Sequence, residues 1–254
     1  MPLFSANLGF LWQELSLPDA IRAAKAAGFD AVECHYPYET SAEDVRQALA
    51  ETGLAMLGLN TIRGDVAAGD NGLSAVPGRE DEARRAIDQA MDYAAAIGTR
   101  NIHVMAGKSE GGEAHATFVA NLRYACERAT EIDATVLIEP LNHRDAPGYF
   151  LRTTDQALDI IAEVGAPNIK LMFDCYHIQI MQGDLMHRLQ THLNAIGHIQ
   201  IAAVPDRREP DHGEIDYREI LRFIDTIGYD RPIGAEYRPA ATTEAGLSWL
   251  RSYR

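Results

Sequence analysis

Glu139, Asp174, Gln200 and Glu236 each stand in or directly after a short apolar run rich in β-branched residues. The runs are Val136-Leu137-Ile138, Ile169-Lys170-Leu171-Met172-Phe173, His198-Ile199-Gln200-Ile201-Ala202 and Pro232-Ile233-Gly234-Ala235. Such runs read as buried strands. Pro140 removes a backbone donor directly after Glu139 and so ends the first of them. Glu139 to Asp174 is 35 residues, Asp174 to Gln200 is 26 and Gln200 to Glu236 is 36. Each step is about one strand–helix unit, roughly 30 residues. Three carboxylates around one cavity repel one another and are neutralised by protonation or by a cation. All four side chains are hard oxygen donors, with no thiolate and no obligatory imidazole. That set selects one divalent metal, Mg²⁺ or Mn²⁺, over zinc or copper. The alternative for each residue is a helix cap or a surface charge that follows its strand.

Further candidates surround these four. His177 lies three residues after Asp174 and could contact substrate or orient a ligand, or be a satisfied structural histidine. His198 lies two residues before Gln200 and shares its strand face. His35 and His103 fall on strands two and four, with the same alternatives. Arg207 follows strand seven, and an arginine can hold a carboxylate through two parallel hydrogen bonds. Its alternative is a solvated surface charge. Lys108, after strand four, is a second and less patterned cation.

The elements that must position these residues repeat along the whole chain. Strands are expected at Leu3–Gly9, Ala31–His35, Leu54–Asn60 and Asn101–Met105, before the four that carry the oxygen donors. Helices with 3.6-residue apolar stripes follow them. Ser16, Ser41, Thr153 or Thr154, Asp216 and Thr242 or Thr243 stand as N-caps, and Gly28, Gly53, Gly98, Gly165 and Gly228 as terminators. One helix is expected over roughly Ile178–Leu193. Eight strands, each followed by a helix, imply a parallel sheet with right-handed crossovers. At 254 residues they favour an α/β fold, a single (β/α)8 TIM barrel spanning 1–254 as one domain. In a closed barrel the ends of strands five to eight share one rim. Thr61–Gly78 breaks the rhythm with three glycines and a proline before Gly78. It reads as a cover over the site or a surface excursion.

Composition bounds the partners. A formal charge of −14 argues against a nucleic-acid or anionic-membrane surface. It also means that an anionic substrate needs a local cationic pocket. Cys34, Cys126 and Cys175 show no paired spacing, which fits a reduced, cytoplasmic protein. The stretch Met1–Asn7 lacks a basic segment followed by a long apolar one, so neither a signal peptide nor a membrane span is expected. Self-association into a homo-oligomer is left open.

The stretches Ser5-Ala6-Asn7-Leu8, His103-Val104-Met105-Ala106-Gly107 and Ile138-Glu139-Pro140-Leu141-Asn142 together resemble the hydroxypyruvate isomerase family of xylose-isomerase-like barrels. Pro147-Gly148-Tyr149-Phe150-Leu151, Asp174-Cys175-Tyr176-His177 and Gly234-Ala235-Glu236-Tyr237-Arg238-Pro239 extend the resemblance over nearly the whole chain. It implies a divalent metal on Glu139, Asp174, Gln200 and Glu236, with Glu139 and Glu236 as the acid–base pair. His177 and Arg207 look like substrate contacts of such barrels. The implied activity is isomerisation of a small anionic oxo or hydroxy acid through an enediolate, with hydroxypyruvate and tartronate semialdehyde as the first pair. A 2-oxo-tetronate isomerase, a ketose 3-epimerase and a non-catalytic sugar-acid-binding barrel are the alternatives. Two positions depart from the family pattern: Ala203 stands where an aspartate is expected, and Asp206 where glycine is common.

Overall fold

The computed structural model describes residues 2–253. Its strands are β1 (Phe4–Asn7), β2 (Ala31–Glu33), β3 (Ala55–Met56), β4 (Gly58–Asn60), β5 (Asn101–His103), β6 (Thr135–Ile138), β7 (Ile169–Asp174), β8 (Ile196–Ile201) and β9 (Ile233–Ala235). All pair in parallel, in the order β3-β2-β1-β9-β8-β7-β6-β5-β4. The two ends of that order, β3 and β4, are halves of one strand interrupted at Leu57. Cys34 N donates to Gly58 O at 3.1 Å and Asn60 N to His35 O at 2.8 Å, so the second half also meets β2 and the barrel closes. Eight strand positions result, as the strand–helix alternation requires.

The helices form where their caps announce them. Ser16, Ser41, Thr153, Asp216 and Thr242 each accept a first-turn N–H. The helices they open are α1 (Leu17–Ala27), α2 (Ala42–Thr52), α5 (Thr154–Val164), α8 (Tyr217–Thr226) and α9 (Thr243–Gly246). Between these lie α3 (Glu80–Ile97), α4 (Gly111–Glu131), α6 (Cys175–Met181) and α7 (Leu185–His192), and α10 (Ser248–Ser252) is last. The single helix expected over Ile178–Leu193 is therefore two. Gly183 and Asp184 both take left-handed backbone, φ 63° and 54°, which a right-handed helix cannot pass through. Ala83, Ala86, Ile87, Ala90 and Ala94 of α3 are all buried. The four alanines among them let the outer helix ring approach the strands closely.

The barrel interior is not wholly apolar. Asn7, Glu33, His103, His198 and Gln200 are buried polar side chains facing one small internal cavity. Isolated, a buried carboxylate there would be strongly destabilising. Glu33 is not isolated: His198 Nε2 contacts its Oε2, while Asn7 Nδ2 and Gln200 Nε2 donate to its Oε1 at 3.1 Å each. Burial pushes the Glu33 carboxyl up, but His198 and the two amides outweigh it. The group titrates below the usual carboxylate range.

Candidate active site

Strand register brings the four oxygen donors to one rim. Asp174 ends β7 and is the register partner of Gln200 on β8. Glu236 follows β9 directly, its N–H bonded to Ile201 O at 3.1 Å. Glu139 follows β6, and all four side chains are buried. Gln200 commits its Nε2 to Glu33. Glu139 Oε1, Asp174 Oδ2, Gln200 Oε1 and Glu236 Oε2 are then four buried oxygens with no hydrogen-bond partner. Buried polar atoms are rarely left so, and one orphaned acceptor on each of four hard donors fits a divalent cation. A resident Mg²⁺ or Mn²⁺ would be held by these residues.

Electrostatics point the same way. Burial, then Glu236 and Asp174, pushes the Glu139 carboxyl well above its usual range. Burial, then Glu236, raises Asp174 to about 7. Without a cation the folded chain thus holds a proton on Asp174 more tightly than the unfolded chain, whose aspartates titrate near 3.9. The sign follows: this contribution is full below ~pH 4 and is lost as pH rises towards about 7. A divalent cation binds the deprotonated site. Adding Mg²⁺ or Mn²⁺ to chelator-treated protein is therefore expected to raise the melting temperature little at about pH 5 and several degrees at about pH 8. Equal increments at both pH values would contradict this linkage.

His177 is buried and aimed at the same centre. Asn142 N donates to its Nδ1 at 3.0 Å, and Asn142 Nδ2 lies 2.7 Å from that atom. A nitrogen that accepts carries no hydrogen, so Nε2 bears it. That Nε2 stands 3.5 Å from Asp174 Oδ2 and 3.9 Å from Glu139 Oε1. Burial, then the Arg207 charge, holds the ring neutral, well below its usual pKa. Although Glu139, Asp174 and His177 lie close enough to share an ion, this tautomer makes His177 a donor towards the centre.

Arg207 closes the rim from the loop after β8. Its guanidinium lies 3.4 Å from Glu236 Oε2, 3.7 Å from Asp174 Oδ2 and 3.6 Å from Asp145 Oδ2. The rings of Phe10 and Tyr176 sandwich it at 4.9 and 5.1 Å. Its backbone is left-handed, φ 57°, a conformation that costs about 1 kcal/mol and is held by these contacts. The two departures in this loop do not move the guanidinium away. Ala203 is fully buried, its O accepting from Arg207 N at 2.9 Å, and Asp206 turns to His212 at 3.0 Å.

A cavity of ≈ 670 Å³ opens above this rim, and Glu139, His177, Arg207 and Glu236 reach it. Lys108 does not. Gly107, at φ 96°, turns the chain, and Lys108 is exposed beside Gly69 and Asp70. The glycine-punctuated segment after β4 forms a wall of the cavity, through Arg63 and Asn71. Its base is pinned: Gly72 N donates to Arg63 O at 2.8 Å, and Arg79 holds both oxygens of Asp70 at 2.8 Å.

His35, a strand-two candidate with open alternatives in the sequence, stands against Glu236. Its Nε2 lies 2.8 Å from Glu236 Oε1, so it orients that carboxylate while Oε2 accepts no hydrogen bond. The one readable signal was its place two residues after Glu33, at the end of a strand that shares the rim. The ring packs so tightly over Gly9 that a Cβ there would stand 2.1 Å from His35 Nδ1. His35→Phe keeps the ring and removes the hydrogen bond. It is expected to lower kcat about 10- to 100-fold, as loss of a hydrogen bond to a charged group does. Gly9→Ala, which displaces the ring, is expected to do the same. Unchanged kcat in both folded variants would mean that His35 only fills space.

The chain matches a family model described as Xylose isomerase-like TIM barrel over residues 21–253. It is 48% identical to the 2-oxo-tetronate isomerase of Cupriavidus necator, over 100% of this chain and 99% of that protein. It is 41% identical to the hydroxypyruvate isomerase of Escherichia coli, over 99% of each. A crystal structure from Brucella melitensis, named as an AP endonuclease of family 2, superposes with a TM-score of 0.96 at 40% identity, covering 100% of both chains.

Proposed function

Because the chain belongs to the xylose isomerase-like TIM barrel family, among its hydroxypyruvate and 2-oxo-tetronate isomerases, we propose that this isomerase acts on small 2-oxo acids at the rim of Glu139, Asp174, Gln200 and Glu236. The observation that carries the reading is the set of four buried oxygens that accept no hydrogen bond, beside a cavity that two of the carboxylates reach. A divalent cation bound there would polarise the substrate carbonyl and acidify the neighbouring C–H. Of Glu139 and Glu236, one takes the carbon-bound proton and the other returns one at the adjacent carbon, while the hydroxyl proton passes to the former carbonyl oxygen, so that carbonyl and hydroxyl exchange places. His35 fixes the rotamer of Glu236. His177 offers Nε2–H to a substrate oxygen, and Arg207, sandwiched between aromatic rings, holds Asp174 and Glu236 against mutual repulsion. Phe10, Leu141 and Met105 line the same cavity and limit water near the reacting carbons.

With hydroxypyruvate this exchange yields tartronate semialdehyde. With a 2-oxo-tetronate it moves the carbonyl one carbon along a four-carbon chain. The cavity volume and the identity to the Cupriavidus enzyme favour the longer acid as a second substrate. The oxygen-donor rim and the charge of −14 speak against a nuclease reading, despite the name given to the Brucella protein. The deciding experiment is a panel of hydroxypyruvate, tartronate semialdehyde, both 2-oxo-tetronates and several ketoses on purified, metal-loaded protein. Turnover of an oxo acid is expected; turnover of ketoses alone would replace this reading with an epimerase.

A further inference from the structure

Arg207 is the obvious cation for an anionic substrate, yet its charge is already engaged. It faces Glu236, Asp174 and Asp145 at 3.4, 3.7 and 3.6 Å, so protein carboxylates already balance its charge. Adding a divalent cation to Glu139, Asp174 and Glu236 and counting Arg207 leaves the rim neutral. A substrate carboxylate brings one more negative charge into a chain of formal charge −14. It needs a positive group that no carboxylate of the protein has claimed.

Two such groups line the cavity, Arg63 and Arg238. Neither has a carboxylate partner among the described residues. Arg238 is exposed, over the Phe10 ring at 5.6 Å. Arg63 is half-buried and lies over the Tyr36 ring, its guanidinium carbon 5.0 Å from the centroid. Stacking fixes the plane of the guanidinium and leaves its edge donors unused, which is the arrangement that takes a carboxylate through two parallel bonds. Tyr36 is itself fixed, its hydroxyl 3.2 Å from Met105 Sδ and its ring 5.7 Å from His35, the partner of Glu236. The Arg63 backbone is held by Gly72.

Resting on the proposed oxo-acid chemistry, we propose that Arg63 binds the substrate carboxylate and makes the site selective for acids over neutral sugars. The test uses tartronate, a dicarboxylate that cannot isomerise, titrated calorimetrically into full-length, metal-loaded protein. Arg63→Ala and Arg63→Gln are expected to weaken its binding about 10- to 100-fold, the loss of a charge-assisted pair, and Arg63→Lys less. On an oxo acid that wild type turns over, the same variants should raise KM more than they lower kcat. Wild-type turnover with unchanged tartronate affinity in both folded variants would overturn the inference and leave the proposed function standing. The same loss appearing in Arg238→Ala instead would also overturn it. If wild type turns over no oxo acid, the proposed function fails, and tartronate binding that depends on Arg63 would still establish the anion site.

Discussion

Glu139→Gln and Glu236→Gln are each expected to lower isomerisation by about a thousandfold or more. General acid–base catalysis alone contributes roughly 10²- to 10⁴-fold, and here each change also replaces a charged donor of the proposed cation site by a neutral one. Both glutamates reach the cavity, and each keeps one buried oxygen that accepts no hydrogen bond. The two effects are separable. Metal content should be measured in each variant, and exchange of the substrate C–H with solvent deuterium followed. A variant that keeps its metal but loses exchange has lost the proton acceptor; one that exchanges without completing isomerisation has lost the returning acid. Near-wild-type turnover with metal bound in either variant would reduce that glutamate to a ligand.

Removing divalent cations is expected to have an effect of similar size. Chelator-treated protein should fall to about a thousandth of full turnover or less, and either Mg²⁺ or Mn²⁺ should restore it. Elemental analysis of the reloaded protein should find one ion per chain. The basis is the chemistry of the donor set, three carboxylates and one amide oxygen each with an orphaned buried atom. Full activity in chelator without bound metal, or a stable cluster of several zinc ions, would contradict it.

What the sequence made legible was local. Ser16, Ser41, Thr153, Asp216 and Thr242 cap the helices they were expected to cap, because a cap is decided within three residues. The rim was legible because a carboxylate or amide at each strand end repeats at the length of one strand–helix unit. The rest depends on contacts that spacing does not encode. His35 meets Glu236 across 201 residues. Arg63 meets Tyr36 only because the barrel closes β2 against β4. Lys108 sits after the expected strand, but the left-handed turn at Gly107 sends it to the exposed side. The break at Leu57 and the left-handed pair Gly183–Asp184 follow from backbone dihedrals that apolar periodicity does not report.

The Glu33–His198–Asn7–Gln200 network has a consequence for anyone trying to harden this protein. Exchanging a buried ion pair for well-packed apolar side chains is often neutral or stabilising by about 1–4 kcal/mol. A laboratory selection for heat resistance would therefore find its easiest gains in the barrel interior. Those gains would release Gln200 Nε2 from Glu33 and leave the amide of a proposed metal ligand free to turn. If Gln200 holds the proposed cation, thermal tolerance and turnover draw on the same network, and the two traits would trade against each other in the interior. They should improve together only through changes on the outer helix ring.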